Sequence, residues 1–417
     1  MKNFKIFFGI LILSIQLTLL NNFSNAQWVL SSNGITGGAS ISSLAASGTN
    51  IFAGTLGEGI YISTNGGASW ASVNNGLTQL NVYSFAVSGS SIFAGTFNGV
   101  FKSINNGVNW TSASNGIGGT IRSFAVTGTN IYAAGDNGVF LSVNDGASWT
   151  ELVNGLPDLF SPTCLAVTSA GVFAGHDNTG SGVPGGIYKS TNGGTNWSLA
   201  VNGLINGNVR CLTASGTTLF AGTSAGVYVS TNDGNNWSQA NGGLPGLLYI
   251  NTLYASGSNV FVGTNPPGQL YMTTNNGTNW LDKNTGFTGP QYVYSILVAN
   301  NYILAGKYHS VWRRQYAEII GIQNISTEIP IAYSLGQNYP NPFNPITKIE
   351  FEIPVVSSVR LIIFDEKGSE IKVLSYKVSQ AGKYRIEFDA GSLPSGVYFY
   401  KLEAGDFSAV RKMLLIK

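Results

Sequence analysis

Tryptophan returns along most of this chain at a nearly fixed interval. Trp28, Trp70, Trp110, Trp149, Trp197, Trp237 and Trp280 are separated by 42, 40, 39, 48, 40 and 43 residues. Six of them close an eight-residue turn: Ser63–Trp70, Ser103–Trp110, Ser142–Trp149, Ser190–Trp197, Ser230–Trp237 and Thr273–Trp280. Each turn has Asn third and Gly fifth. A repeat of this length constrains the fold more than any other feature, because each unit is one supersecondary element that buries its apolar face only against its neighbours.

Three further segments recur in each unit. The first is small and apolar, as in Ile41–Ala46 or Val82–Val87. The second is a short run ending in Gly, as in Ile51–Gly54, Ile92–Gly95, Val172–Gly175 and Leu219–Gly222. The third carries an aromatic at one fixed place: Tyr61, Phe101, Phe140, Tyr188, Tyr228, Tyr271 and Trp312. The marker Trp opens a fourth. Four short strands per unit, with turn residues between, is the pattern of a propeller blade. The three inner segments occur seven times. The seventh copy, ending at Trp312, lacks an outer strand, and the Trp28 segment lacks inner ones. The expectation is therefore an all-β chain with a seven-bladed propeller over 27–316, whose first strand completes the last blade.

The turns resemble Asp-box (BNR) repeats, Ser-x-Asp-x-Gly-x-x-Trp. The acidic position is Asn here: Asn65, Asn105, Asn144, Asn192, Asn232 and Asn275. Asn keeps the turn-forming hydrogen bonds and tolerates left-handed dihedrals, but brings no charge for a metal. The seven Trp residues are read as structural, packing between blades. The arrangement is also similar to photosystem assembly-factor propellers and to parts of sialidases and xyloglucanases. Fold alone transfers none of their functions.

Charge divides the chain. Residues 27–312 carry 6 Lys/Arg and 8 Asp/Glu, whereas 335–417 carry 11 and 9. This places a linker at 317–334 and a second domain at 335–417. That domain reads as a small Ig-like β-sandwich, with strands at 347–353, 359–364 and 396–402. Its opening Leu335-Gly-Gln-Asn-Tyr-Pro-Asn-Pro-Phe-Asn-Pro345, its Leu393–Tyr400 segment and its terminal Lys412–Lys417 resemble the type A sorting domain of the type IX secretion system. The resemblance implies Sec export to the periplasm of a Gram-negative bacterium, then crossing of the outer membrane by the type IX machinery. Release or attachment at the surface would follow.

The first 26 residues fit that route. Lys2 and Lys5 precede an apolar run from Ile6 to Leu20, and Ser24-Asn25-Ala26 offers a small-residue cleavage site. An uncleaved anchor is the alternative, but the run is short and dotted with polar residues. No later segment reads as a transmembrane helix. Removing the signal takes 2 of the 21 basic residues and none of the 19 acidic ones, leaving zero net charge. With no basic stripe, nucleic acid is not an expected partner.

Chemistry is sparse. Only His176 and His309 are present, with no metal-ligand spacing, and no cofactor is expected. Cys164 and Cys211 take the same place in successive repeats, either as buried thiols or as a disulfide between blades. Glu58, Asp136, Asp158 and Asp177 fall on the face away from the boxes, so a glycosidase-like carboxylate pair is one alternative. The same face is the candidate binding surface. The residues opening the innermost strands, Ser42, Tyr83, Arg122, Thr163, Arg210, Asn251 and Tyr294, are expected to line the central mouth. Among them Tyr83, Arg122, Arg210, Asn251 and Tyr294, with His176 and Asp177 beside the long insertion 176–186, form the proposed ligand set. The expected role is a secreted or surface binding module for a polysaccharide or surface protein. The alternatives are a glycan-active enzyme and an assembly or adhesion scaffold.

Overall fold

The computed structural model describes residues 27–417 apart from 178–184, 206, 247, 289–291, 327, 379–380 and 392. The expected signal segment, 1–26, and most of the insertion at 176–186 lie outside the described residues.

Strand β1 (Val29–Leu30) stands alone at the start. Strands β2 (Ile41–Ser47), β3 (Asn50–Thr55), β4 (Ile60–Ser63) and β5 (Ala71–Ser72) then form the first complete antiparallel sheet. The pattern repeats as β6–β9 (82–112), β10–β13 (121–151), β14–β17 (164–199), β18–β21 (209–239) and β22–β25 (250–282). Strands β26 (Val293–Ala299), β27 (Tyr302–Lys307) and β28 (Ser310–Gln315) make three strands of another sheet, and β1 supplies its fourth. Val29 pairs with Arg313 and Leu30 with Trp312. The innermost strand of each sheet touches that of the next, and β26 touches β2, so the sheets close on themselves.

Burial follows the repeat. The run Ile51-Phe-Ala-Gly-Thr55 is wholly buried, as a strand covered on both faces should be. The apolar clusters sit between adjacent sheets. Phe52 and Ile60 of one sheet meet Val82, Ile92 and Phe101 of the next, with Trp110 among them. Leu297, Leu304 and Val311 meet Ile41, Ile51 and Tyr61 in the same way across the closure.

The boxes are hydrogen-bonded turns. Ser103 Oγ accepts from Gly107 N at 2.9 Å and donates to Asn105 Oδ1 at 3.0 Å, and Asn105 Oδ1 accepts from Asn109 N at 2.9 Å. The same three bonds recur at Ser63, Ser142, Ser190, Ser230 and Thr273. One expectation is corrected here. The left-handed residue is the fourth of the box and not its third: Asn106, Asp145, Asp233 and Asn276 have φ of 53–59°. The third-position Asn is kept for its carbonyl oxygen, which bridges a hydroxyl and an amide.

Six of the seven marker Trp residues reach back with the indole N–H to a backbone carbonyl of the preceding unit, and only the Trp197 Nε1 has no partner among the described residues. The indole N–H of Trp110 donates to Val73 O at 2.9 Å, and that of Trp149 to Ala113 O at 2.8 Å. Trp28 does the same to Lys283 O at 2.7 Å and stacks on Phe287.

Beyond β28 come a one-turn helix, α1 (Tyr316–Ile319), and strand β29 (Ile322–Ser326). The stretch expected to be a plain linker therefore carries a strand. It pairs with β34 (Gly382–Asp389), giving the sheet order β29-β34-β31-β30, where β30 is Ser334–Leu335 and β31 is Ile346–Ile353. A second sheet has the order β33-β32-β35-β36, from β32 (Ser357–Phe364), β33 (Glu370–Val378), β35 (Gly396–Ala404) and β36 (Phe407–Leu415). Alternation drives both. Thr347, Ile349, Phe351 and Ile353 turn inward from β31 while Lys348 and Glu350 face water. The inward residues of the two sheets share one buried cluster.

Candidate ligand-binding face

The two ends of each sheet differ in kind. Ile41 at the start of β2 pairs with Thr55 at the end of β3, so the innermost strand's opening and the β3–β4 turn share one end. The boxes connect β4 to β5 at the other. Face A below is the end without boxes.

On face A, six of the seven strand-opening residues sit at a register shift. The ladders skip Ser42, Tyr83, Arg122, Arg210, Asn251 and Tyr294. An extra residue of this kind is left out of the pairing and its side chain is re-aimed. Thr163 lies just before β14. Two members serve the scaffold: Ser42 Oγ donates to Val82 O of the next sheet, and Thr163 Oγ1 donates to Val209 O at 2.7 Å. Arg122 pairs with Asp136 at 2.5 Å. Burial alone would raise the Asp136 carboxyl, but hydrogen bonds from Thr120 and the Arg122 guanidinium outweigh it and hold that group below its ordinary range. Arg210 is exposed. Asn251 Nδ2 is buried and has no hydrogen-bond partner among the described residues.

His176, expected to reach a ligand, is 2% exposed. Its Nδ1 lies 2.8 Å from Ser161 O and its ring packs on Phe160, so it supports the rim from beneath. Asp177 is half-buried beside it. Of the other carboxylates, Glu58 accepts from the Tyr61 hydroxyl at 2.9 Å, and Asp158 is exposed. Cys164 and Cys211 are free, buried thiols; burial pushes Cys164 up to about 12. Among the described residues no cluster of His, Cys, Asp or Glu could hold a metal ion.

Sequence reasoning placed Tyr83 and Tyr294 on this face but missed its most exposed aromatics. Among the described residues of 27–316, the exposed aromatics are Phe97 (55%), Tyr249 (49%), Tyr292 (38%) and Tyr308 (43%), and all four lie on face A. Tyr292 stacks on Tyr294 with centroids 5.4 Å apart, and Tyr308 on His309 at 3.6 Å. Burial, and then the neighbouring Tyr292 and Tyr308, push the Tyr294 phenol up against a hydrogen bond with Ser40. His309 holds a φ of 60°, a strained value for a residue other than Gly. The signal was present in the turns. Where the second and third strands connect, the third and fifth copies have Asp136-Asn137 and Ser224-Ala225, while the second has Phe97-Asn98 and the seventh Tyr308-His309.

The C-terminal motif is explained by packing. Tyr400 donates to Gly336 O at 2.8 Å and accepts from Asn338 N at 2.7 Å, deep in the core. Asn338 Nδ2 reaches Thr347 Oγ1 at 3.0 Å, and Asn341 Oδ1 accepts from Leu414 N at 2.9 Å. The Pro/Asn opening is thus clamped to the end of the chain. Residues 337–417 match the family described as the secretion system C-terminal sorting domain. The C-terminal unit is a type IX sorting domain, and the protein is secreted or displayed at the outer surface. Handling by the type IX machinery follows from that domain.

Among solved structures the chain is similar to a computationally designed protein, Ika8, at 13% identity and a TM-score of 0.48, covering 69% of this chain and 99% of that one. It is also similar to an ancestral GH74 enzyme at 18% identity and a TM-score of 0.46, covering 93% of this chain and 64% of that one. Likeness at this level says nothing about activity. A search of curated proteins finds no match. No helix among the described residues is long and apolar enough to cross a membrane.

Proposed function

We propose that residues 27–316 form a seven-bladed β-propeller of the Asp-box type that acts outside the cell as a binding module, with face A as its contact surface. Residues 1–26 would be removed as a signal peptide, and the source would be a Gram-negative bacterium. The sorting domain keeps the start at 335 that charge suggests, and β29, ahead of it, pairs with that domain's β34. One observation carries the binding assignment: the exposed aromatic rings of the propeller gather on one face. Exposed aromatics stack on sugar rings and fill partner pockets at low entropic cost. A polysaccharide is the ligand class that suits Tyr292, Tyr294, Tyr308 and the polar ring of Arg210 and Asn251. The enzyme reading has less support, because Asp136 is paired with Arg122 and Glu58 is held by the Tyr61 hydroxyl.

The test is affinity electrophoresis of the mature protein in gels cast with bacterial and plant polysaccharides. Retardation by at least one polymer, lost in Tyr292→Ala/Tyr308→Ala, is the expected result. Equal migration of wild type and variant in every gel would remove the assignment.

A further inference from the structure

The sorting domain and the propeller are joined by more than the chain that runs between them. Strand β29 lies outside the stretch that matches the sorting family, yet it forms the edge of that domain's first sheet. Ile322 pairs with Ile386, Gln323 with Arg385 and Asn324 with Tyr384. Without β29, β34 would present an open edge, which folded proteins usually cover. Ile322 is 2% exposed and belongs to one apolar cluster running from Phe261, Leu270 and Met272 through Tyr316 and Ile319 to Ile386 and Phe388.

One polar contact crosses the same boundary and another braces the helix that leads to it. Ser258 Oγ, in the β22–β23 turn, donates to Val373 O of β33 at 2.9 Å. Asn259 donates to the Tyr316 hydroxyl at 3.0 Å, tying α1 to the sixth sheet. A cleft of about 340 Å³ runs between the box residues Thr274–Asn276 and Lys372, Phe388 and Asp389. Partial burial lowers the pKa of the Lys283 ammonium on one side and of Lys372 on the other. After β29 the character changes. Ile329 and Ile331 are 74% and 103% exposed on either side of a buried Pro330, so the described residues between β29 and β30 carry apolar side chains into solvent.

We propose that the propeller unit donates an edge strand to its own sorting domain, so that the two parts remain a non-covalent complex after the chain is cut between 328 and 332. The cut leaves β29 on the propeller side, still paired with β34. Loss of the peptide connection is then insufficient to free the cargo from its address. Separation requires that β29 be stripped from β34 and that the cluster around Ile322 be opened.

The experiment uses the mature chain, 27–417, with 328–332 replaced by the recognition sequence of a site-specific protease. After complete cutting, size exclusion and native mass spectrometry are expected to show one species containing both fragments, which separates only in guanidinium. Two species in native buffer would overturn the proposal. So would resistance to the protease, since the connection would then not be exposed. Ile322→Ala in the same chain should speed fragment release at least about tenfold, given what truncating a buried Ile costs. Release at the unsubstituted rate would show that β29 is not the tie. Because the β29 contact is separate from face A, polysaccharide binding is expected to survive the cut.

Discussion

Closing the ring with β1 makes Trp28 the residue whose loss should be felt farthest from its place in the sequence. Its ring is 2% exposed, stacks on Phe287 at 4.3 Å and donates to Lys283 O at 2.7 Å. Trp28→Ala removes a buried aromatic, for which about 3–5 kcal/mol is typical, and strips one carbonyl of its donor. An aromatic pair adds about 0.5–1.5 kcal/mol. A loss of about 4 kcal/mol is expected, a thousandfold shift in the folding equilibrium at about 1.4 kcal/mol per decade. The assay is urea unfolding of the mature protein followed by far-ultraviolet circular dichroism, reading the first transition. Two comparisons give it force. Trp110→Ala, in the middle of the repeat, should cost nearly as much, because Trp110 is equally buried and makes the same indole N–H bond to the preceding sheet within consecutive sequence. Deletion of 27–31 should cost no less than Trp28→Ala, because it also removes the pairing of Val29 and Leu30 with β28. If Trp28→Ala or the deletion moved the midpoint by less than the equivalent of about 1 kcal/mol, a typical surface effect, the closure would not hold the ring together.

In the second box, Asn105→Asp should be nearly neutral in urea, since a carboxylate oxygen accepts both bonds that Oδ1 accepts. Ser103→Ala, which orphans the buried Gly107 N–H, should cost about 1–3 kcal/mol. Lys307 is fully buried, its Nζ has no hydrogen-bond partner among the described residues, and burial lowers its pKa to about 8. Between about pH 8 and its ordinary range near 10.5 the unfolded chain therefore holds the extra proton, and the contribution of Lys307 to stability should rise with pH across that window. Lys307→Met should stabilise the protein at pH 7 and flatten that rise; a variant with the same pH profile would refute it. Cys164 and Cys211 should resist a thiol reagent at pH 8 in the native state and both react in guanidinium, because burial keeps the thiolate scarce. Rapid native labelling would contradict their place in the core.

The repeat was legible because it is fixed by local hydrogen bonds. Each box needs a hydroxyl first, an amide oxygen third and a residue free to turn left-handed fourth, and the sequence repeats what those bonds demand. Ring closure was legible for a different reason: Trp28 has an outer strand without a blade and Trp312 a blade without an outer strand. Strand β29 was not legible. Ile322-Gln-Asn-Ile-Ser326 is short, and its partner β34 lies far along the chain, so nothing local distinguishes it from a connection. The β34 strand itself could have been read from Tyr384, Ile386 and Phe388, which alternate inward. His176 misled because its position beside an insertion suggested exposure. In the repeat it takes the place of Thr55, a buried site at the end of the second strand.

The two faces divide the work for a physical reason. On the box face, three side-chain bonds per turn leave little freedom in what the turn contains, and the sorting domain packs against that regular surface at the sixth sheet. On face A, the connection between the second and third strands is closed by backbone pairing, as between Lys307 and Ser310. The side chain that adds to this closure is the threonine ending the second strand, as where Thr96 Oγ1 donates to Gly99 O and Thr223 Oγ1 to Gly226 O, both at 2.9 Å, and not the residue that follows it. Phe97, Ser224 and Tyr308 can therefore differ without disturbing the sheet. A surface built this way can acquire aromatic contacts one turn at a time, and the pairs Tyr292–Tyr294 and Tyr308–His309 stand where that freedom meets the closure of the ring.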